Sequence, residues 1–307
     1  MINPPTNHHF VPKCYLNSFT DTQKRFWKKR NDNSRISQVY PTQVCYEPNA
    51  NKFLTNQILK FYNLDDEYYV EKNAFKFQEN NYSRTLIQIL KFQKEPKVID
   101  KIKYRLFLET LLTIKRRNPV SRNEILESFK KSYKTEEGIK DFLNFLSEET
   151  GISDFPVETE NFIRYYLAVE SQNPNRLHDM YLSAFINKKD YTTISNLTND
   201  LFNLKQYLLF APISQQFITS DNPGFLISGG TLSTRSGFGG NFEFYFPLSP
   251  LTCLYLNSKK IESPNILQKT VYNIILDAPS VKVINENTKK TSRNYILSFS
   301  KKTLENV

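Results

Sequence analysis

The sequence predicts an α+β fold in which N-terminal strands pair with a C-terminal antiparallel sheet and a large helical region lies between them. Strand-like segments joined by turns fill residues 11–50, apolar residues at helical spacing fill about 52–210, and strand-like segments return after 210. The most economical arrangement is a single α+β unit. Its predicted parts, within residues 1–307, are a β entry module (1–50), a helical region (51–210) and an antiparallel sheet (211–307).

The N-terminal module begins with NPPTNHHFVPKCYLNSF at residues 3–19, which places two histidines just before an apolar stretch. Because HHFVPK and FITSDNP both flank strand-like segments, we predict that residues 10–19 and 215–220 belong to the same sheet. The later segment KRFWKKRNDNSRISQVYP predicts a β-hairpin with its tip at residues 31–34. That ribbon is too charged to be buried, so Trp27 on it is expected to be partly exposed.

The central region predicts about six helices from its apolar spacing. Helix boundaries are expected at Asn118-Pro119, at Thr135 and at Asn173-Pro174. After residue 210, strands are predicted in QQFITSD, GFLISGG, NFEFYFPLSP, TCLYLNS, VKVINEN and NYILSFS. In NFEFYFPLSP, phenylalanines alternate with Glu243 and Tyr245, so one face of that strand is predicted to be core and the other polar or partly covered.

Composition narrows the class of protein. The 41 Lys and Arg against 31 Asp and Glu give a net charge of +10, which fits a polyanionic partner such as nucleic acid. The three cysteines are odd in number and form no CxxC pair, so neither a disulfide framework nor a zinc ribbon is indicated. No stretch resembles a signal peptide or reaches the roughly 20 apolar residues of a membrane span. We therefore expect a cytoplasmic protein without a membrane partner.

Four motifs in a fixed order carry a family resemblance: HHFVPKCYLNSF, KRRNPVSR, FITSDNPGF and FPLSP. Together they resemble the bacterial domain-of-unknown-function family numbered 4238, over most of the chain. The resemblance implies a setting in bacteria and mobile elements and supplies motif positions, but no mechanism. Cys14 stands where an aromatic or apolar residue is expected, which indicates a packing thiol and not a nucleophile.

The paired histidines are the first candidate site. A histidine can pass protons in either direction near neutral pH, and adjacent residues of an extended segment point to opposite sides. We therefore take His9 as the candidate general acid or base, with His8 as a second catalytic candidate. Two other interpretations stay open: one imidazole caps a backbone group near the sheet edge, or the histidines bind a metal with Cys14 or Asp221. These scattered ligands do not make a complete metal site.

The second candidate site is FITSDNPGF, where a strand ends in polar residues. Asp221 could orient a histidine, bind a cation or act as a base, and Asn222 could hold a substrate through its amide. The alternative is structural, because Asp-Asn-Pro-Gly is also excellent turn chemistry.

Basic residues form the third candidate site. Arg116, Arg117 and Arg122 in KRRNPVSR suit phosphate groups, although cations at a helix C-terminus are also favoured by the helix dipole. The segment KRFWKKR mixes charge with Trp27, a combination that stacks bases, and Lys13 is a further candidate contact to substrate. The acidic run LDDEYYVE could collect a divalent cation or begin a helix.

Two functions follow from these candidates. The chain lacks Walker, GxGxxG, GxSxG and HExxH motifs, which removes several common enzyme classes. The first hypothesis is a nuclease, a hydrolase using His9 and Asp221 for acid–base or cation-assisted phosphodiester chemistry, in bacterial defence or on a mobile element. The alternative is a non-catalytic module that binds nucleic acid or a protein. A pocket shared by His9, Asp221 and an arginine would favour the enzyme.

Overall fold

The structure of the protein is a computed structural model that describes residues 7–33, 35–91, 95–150, 155–186, 193–233, 238, 240–261 and 268–307. The contacts between residues divide the chain into two compact units. Unit 1 comprises Met1–Ala50, Glu71–Ser121 and Asn187–Val307, and unit 2 comprises Asn51–Val70 and Arg122–Ile186. That residues 1–307 fold as one α+β domain stays a prediction.

The strands among the described residues all belong to unit 1. They are β1 (Asn7–His9), β2 (Phe26–Arg30), β3 (Ile36–Val39), β4 (Tyr46–Pro48), β5 (Lys97–Asp100), β6 (Leu204–Phe210), β7 (Thr219–Ser220), β8 (Phe225–Ser228), β9 (Thr231–Ser233), β10 (Phe242–Ser249), β11 (Thr252–Ile261), β12 (Gln268–Ile275) and β13 (Tyr295–Ser298).

The helices alternate between the two units along the chain. Those of unit 1 are α1 (Lys13–Leu16), α3 (Lys76–Leu90), α4 (Lys101–Arg117), α9 (Thr193–Phe202), α10 (Ala278–Thr291) and α11 (Lys301–Glu305). Those of unit 2 are α2 (Asn56–Phe61), α5 (Pro119–Ser132, whose first residues belong to unit 1), α6 (Glu136–Thr150), α7 (Val157–Glu170) and α8 (Pro174–Ser183). A π-helix, Val70–Phe75, precedes α3.

The predicted α+β class is confirmed, and so is the pairing of N-terminal with C-terminal strands. One sheet has the order β3-β2-β13-β7, in which N-terminal β2 pairs antiparallel with C-terminal β13. A larger sheet has the order β5-β12-β6-β11-β10-β8-β9, and β1 pairs with β4. In the described residues every neighbouring pair is antiparallel except β12 with β6. The hairpin of β2 and β3 is also confirmed, although Ser34 at its tip lies outside the described residues.

Two predicted strands are wrong. Residues 10–19 form α1 and a 3-10 turn, Asn17–Phe19, instead of a strand in the sheet of β7. Pro12 ends the extended segment, and buried Val11, Tyr15 and Phe19 recur at four-residue intervals, which is helical spacing. The segment VKVINEN lies in α10, where the Asp277 side chain caps the helix by accepting from the backbone N–H of Ser280 at 2.9 Å.

The predicted helix boundaries agree with the structure at both prolines, because α5 begins at Pro119 and α8 at Pro174. Between residues 52 and 210, the described residues form eight α-helices where about six were predicted. In unit 2, Ile139, Ile163 and Leu167 form a buried apolar core. In unit 1, α4 covers one face of the larger sheet, where the hydroxyl of Tyr104 donates to Oε1 of Gln206 at 3.1 Å.

Candidate functional site

The two N-terminal histidines lie on β1 and differ in exposure. His8 is fully buried and His9 is half-buried. The Nε2–H of His9 donates to the carbonyl oxygen of Pro41 at 3.2 Å, and because a carbonyl oxygen only accepts, Nδ1 is the acceptor of the neutral ring. Burial, and next the charge of Lys13, lower the pKa of His9 to about 4. His9 is therefore neutral at pH 7, and Nδ1 is a weaker base than in an exposed histidine.

Asp221 follows β7 and is fully buried. Its carboxylate accepts the backbone N–H groups of Arg293 and Asn294, each at 2.8 Å, which fixes the loop before β13. Burial raises the pKa of Asp221 to about 6, and the two hydrogen bonds oppose that rise. Within the described part of the chain, His9 and Asp221 share no hydrogen bond.

The end of β7 meets the end of α4 in a buried polar cluster, which we define as Lys115, Asn118, Asp221 and Asn222. The ammonium of Lys115 donates to Oδ1 of Asn222 and to the carbonyl oxygen of Gly224, both at 2.8 Å. Asn118 donates to the carbonyl oxygen of Asp221. The structure thus brings KRRNP and TSDNPG together, and each member of the cluster satisfies buried hydrogen-bonding groups.

The predicted phosphate-binding arginines occupy different environments. Arg117 is only 3% exposed: its Nε donates to the carbonyl oxygen of Phe10 at 3.1 Å, and its Nη2 donates to Glu79 at 2.9 Å. Its guanidinium carbon lies 4.4 Å from the ring centroid of Phe75. Arg116 and Arg122 are half-buried, in unit 1 and unit 2 respectively, and Lys13 is exposed.

The basic hairpin confirms the expected partial exposure of Trp27, which is half-buried. Its ring packs against an apolar cluster whose buried members are Ile218, Ile296 and Leu304. Two cations of this hairpin already have partners: Lys29 donates to the carbonyl oxygen of Leu304 at 2.8 Å, and Arg30 pairs with Asp32 at 2.7 Å. The hairpin therefore presents less free charge than its sequence indicates.

A feature that the sequence analysis missed crosses the larger sheet. Aromatic side chains stand opposite one another on five adjacent strands, and we call them the aromatic row: Phe225 on β8, Tyr245 on β10, Tyr255 on β11, Tyr207 on β6 and Tyr272 on β12. Successive ring centroids are 5.0, 4.8, 5.8 and 5.8 Å apart. The row forms because cross-strand neighbours with the same register lie on the same face.

Only part of the aromatic row is covered. Tyr245, Tyr255 and Tyr272 are half-buried, whereas Phe225 is fully buried and Tyr207 is only 9% exposed. Val281 and Ile284 of α10 belong to the same apolar cluster as Phe225 and Tyr207, and the three half-buried tyrosines pack against that cluster. A groove of about 380 Å³ lies between the helix and the sheet, lined by residues that include Tyr245, Tyr255, Val283 and Asn287.

Charged groups border the aromatic row. The ammonium of Lys205 lies 4.2 Å from the ring centroid of Tyr272, and that of Lys260 lies 5.0 Å from the centroid of Tyr207. The Glu243 carboxylate accepts the hydroxyls of Tyr245 at 3.2 Å and Tyr255 at 3.0 Å. Burial, and next the negative charge of Glu243, raise the pKa of Tyr245, so this hydroxyl stays protonated and holds its ring in place.

Comparison with known proteins identifies a family for this arrangement of motifs. The family model described as "Protein of unknown function (DUF4238)" matches residues 7–302. The chain belongs to the DUF4238 family. No significantly similar protein was found among curated proteins, and none among solved structures. Within the DUF4238 match, the N-terminal, α4 and β7 motifs meet at the hydrogen bonds of Arg117 and of the buried polar cluster.

In this DUF4238 protein, none of the described helices is long and apolar enough to cross a membrane. The described residues also form no group of three or more His, Cys, Asp or Glu side chains suited to a metal ion. In the acidic run, Asp66 accepts the backbone N–H of Tyr68 at 2.9 Å, and Glu67 pairs with Lys52 at 2.9 Å. Two acids of this run, Asp66 and Glu67, are therefore engaged in local contacts.

Proposed function

We propose that this DUF4238 protein binds single-stranded nucleic acid on the aromatic row. The alignment of rings across five strands carries the proposal, because its three half-buried members, Tyr245, Tyr255 and Tyr272, are accessible and Lys205 and Lys260 lie beside the row. Bases that are free of a duplex stack on aromatic side chains of an open sheet face, while lysines contact the phosphates. This is the binding hypothesis of the sequence analysis, with its location moved from the basic hairpin to the sheet.

The fixed position of the rings supports this function. Because Glu243 holds the hydroxyls of Tyr245 and Tyr255, little side-chain freedom remains to be lost on binding. A base stacked on an aromatic side chain contributes about 1–3 kcal/mol and requires no particular sequence. We therefore expect binding with weak sequence preference and a strong dependence on salt.

Fluorescence anisotropy with a labelled single strand of about 12 nucleotides at about 50 mM salt tests the proposal. Substitution of Tyr255→Leu together with Tyr272→Leu removes two aromatic rings and leaves an apolar side chain at each position. The affinity for the oligonucleotide should therefore fall at least about tenfold. The matched control is Tyr165→Leu on α7, a tyrosine 70% exposed in unit 2, which should bind as the wild type does. Equal affinity of all three proteins would contradict the role of the aromatic row.

The phosphate contacts are tested separately by salt. Lys205→Gln together with Lys260→Gln should reduce the slope of log K against log salt by about 1.4, since each neutralised phosphate of a single strand contributes about 0.7. Absence of any binding at about 50 mM salt would contradict every nucleic-acid hypothesis and favour a protein partner.

A second candidate function is phosphodiester cleavage at His9. One observation favours it: the ring is half-buried and neutral at pH 7, and among the residues that the structure describes its Nδ1 accepts no hydrogen bond. His9→Gln should abolish cleavage of a quenched oligonucleotide and keep binding, with and without added Mg²⁺. Unchanged cleavage in this variant would remove His9 as the base.

The cellular setting belongs to the same proposal. Cys14, Cys45 and Cys253 are free thiols, which supports the reducing cytoplasm. A role in bacterial defence or on a mobile element is supported by the family resemblance alone. Growth of a bacterial host under phage challenge, with and without the aromatic-row double variant, would test that role.

A further inference from the structure

Unit 2 contains a cavity of about 410 Å³ that is unrelated to the proposed nucleic-acid site. This volume lies in the range of about 300–1,000 Å³ that small-molecule sites occupy. Helices α2, α6, α7 and α8 and the residue after α5 contribute its walls. The aromatic members of the lining are Phe61, Tyr62, Tyr133, Phe142 and Tyr166.

The walls of this cavity are built to hold an apolar body. Tyr133 and Phe142 meet edge to face, with ring centroids 6.1 Å apart. Burial raises the pKa of Tyr133 to about 12, so its hydroxyl is uncharged. Phe61, at 63% exposed, is the most accessible ring of the five. Flat or chain-like apolar molecules fit such walls better than sugars or inorganic ions.

One cation gives the cavity a polar end. Nε of Arg176 lies 3.1 Å from Oε2 of Glu170, and both side chains are 19% exposed. Within the described residues this contact is an ion pair on the Nε side and not a hydrogen bond, since Oε2 of Glu170 has no hydrogen-bond partner, and no hydrogen bond joins Nη1 or Nη2 of Arg176. Arg176 also stands in the first turn of α8, whose Asn173 side chain caps the helix, and that end of a helix favours negative charge.

We propose that this cavity binds a small hydrophobic organic anion. Its apolar body lies among the rings, and its carboxylate or similar oxyanion accepts hydrogen bonds from the Nη groups of Arg176. A cationic ligand is disfavoured because Glu170, the only carboxylate among the described lining residues, already lies beside the guanidinium. Glu170 lies on the Nε side of Arg176 and competes with the ligand for the positive charge of the guanidinium.

The test uses two naphthalene dyes of similar shape, the anionic anilinonaphthalene sulfonate and the neutral phenylnaphthylamine, with fluorescence titration of the full chain. The wild type should bind the sulfonate at one saturable site. Arg176→Gln should weaken the sulfonate at least about tenfold and change the neutral dye less than about twofold, because only the anion uses the guanidinium. Equal losses for both dyes, or no loss for the sulfonate, would overturn the proposal.

Further variants keep the test decisive if Arg176→Gln fails to fold. Glu170→Gln removes a negative charge beside the ligand, so the sulfonate should bind more tightly, and weaker binding would contradict the proposal. Phe61→Ala should weaken both dyes, while its control, Phe77→Ala, removes a similarly exposed ring (59%) in unit 1 and should weaken neither. Equal effects of these two substitutions would place the dyes outside this cavity.

Discussion

Replacement of Arg117 by alanine separates a structural role from a phosphate-binding role. The substitution leaves the buried carbonyl oxygen of Phe10 without its donor, which costs about 1–3 kcal/mol. It removes the cation from the face of Phe75, worth about 1 kcal/mol. The ion pair with Glu79 adds at most about 1 kcal/mol, since Glu79 is 31% exposed and can be solvated. The free energy of unfolding should therefore fall by about 3 kcal/mol.

Urea unfolding followed by circular dichroism measures this loss. Arg116→Ala is the matched control. Arg116 is the neighbour of Arg117 in the sequence and is half-buried, so its loss should lower the free energy of unfolding by less than about 1 kcal/mol. Arg117→Lys keeps the charge but not the planar fork, so it should recover less than half of the stability. A stable Arg117→Ala protein that loses oligonucleotide binding would refute the structural assignment and restore Arg117 as a phosphate contact.

Three further predictions concern the end of β7. For Asp221 the folded pKa of about 6 lies above the ordinary 3.8, so its contribution to stability is greatest below pH 3.8 and is lost as pH rises through 6. Relative to Asp221→Asn, the free energy of unfolding of the wild type should fall by about 2 kcal/mol between about pH 4 and about pH 7, and a flat difference would exclude the shift. Gly224→Ala should lower the melting temperature by several degrees, because φ is +74° and a Cβ would lie 2.4 Å from the ring of Phe246; an unchanged melting temperature would contradict this packing. Lys115→Met should lower the free energy of unfolding by about 3 kcal/mol in urea titrations, since the Asn222 and Gly224 oxygens lose a buried donor, and a neutral effect would show that water replaces it.

The parts of the fold that the sequence predicts correctly depend on local chemistry. Pro119 and Pro174, each after an asparagine, start helices through their own backbone geometry, and the charged ribbon of β2 and β3 turns back within a few residues. The segment VKVINEN shows the limit of composition, because its β-branched residues favour a strand in isolation. The Asp277 cap and the burial of Val281 and Ile284 on one side override that preference and make it helical.

Long-range partners explain why the candidate site differs from its prediction. An aspartate after a strand has the same sequence pattern whether its carboxylate binds a substrate or a backbone loop. Asp221 binds a loop, because it accepts the backbone N–H groups of Arg293 and Asn294, which lie more than 70 residues away in the sequence. Prediction of the aromatic row from the sequence would require the pairing of strands that lie even farther apart along the chain. FEFYF predicts that Tyr245 points away from the core, but the row exists because β6, β11 and β12 stand beside one another with matching register. A shift of one residue in any of these strands would turn its tyrosine to the opposite face, so the proposed binding surface is a property of strand register.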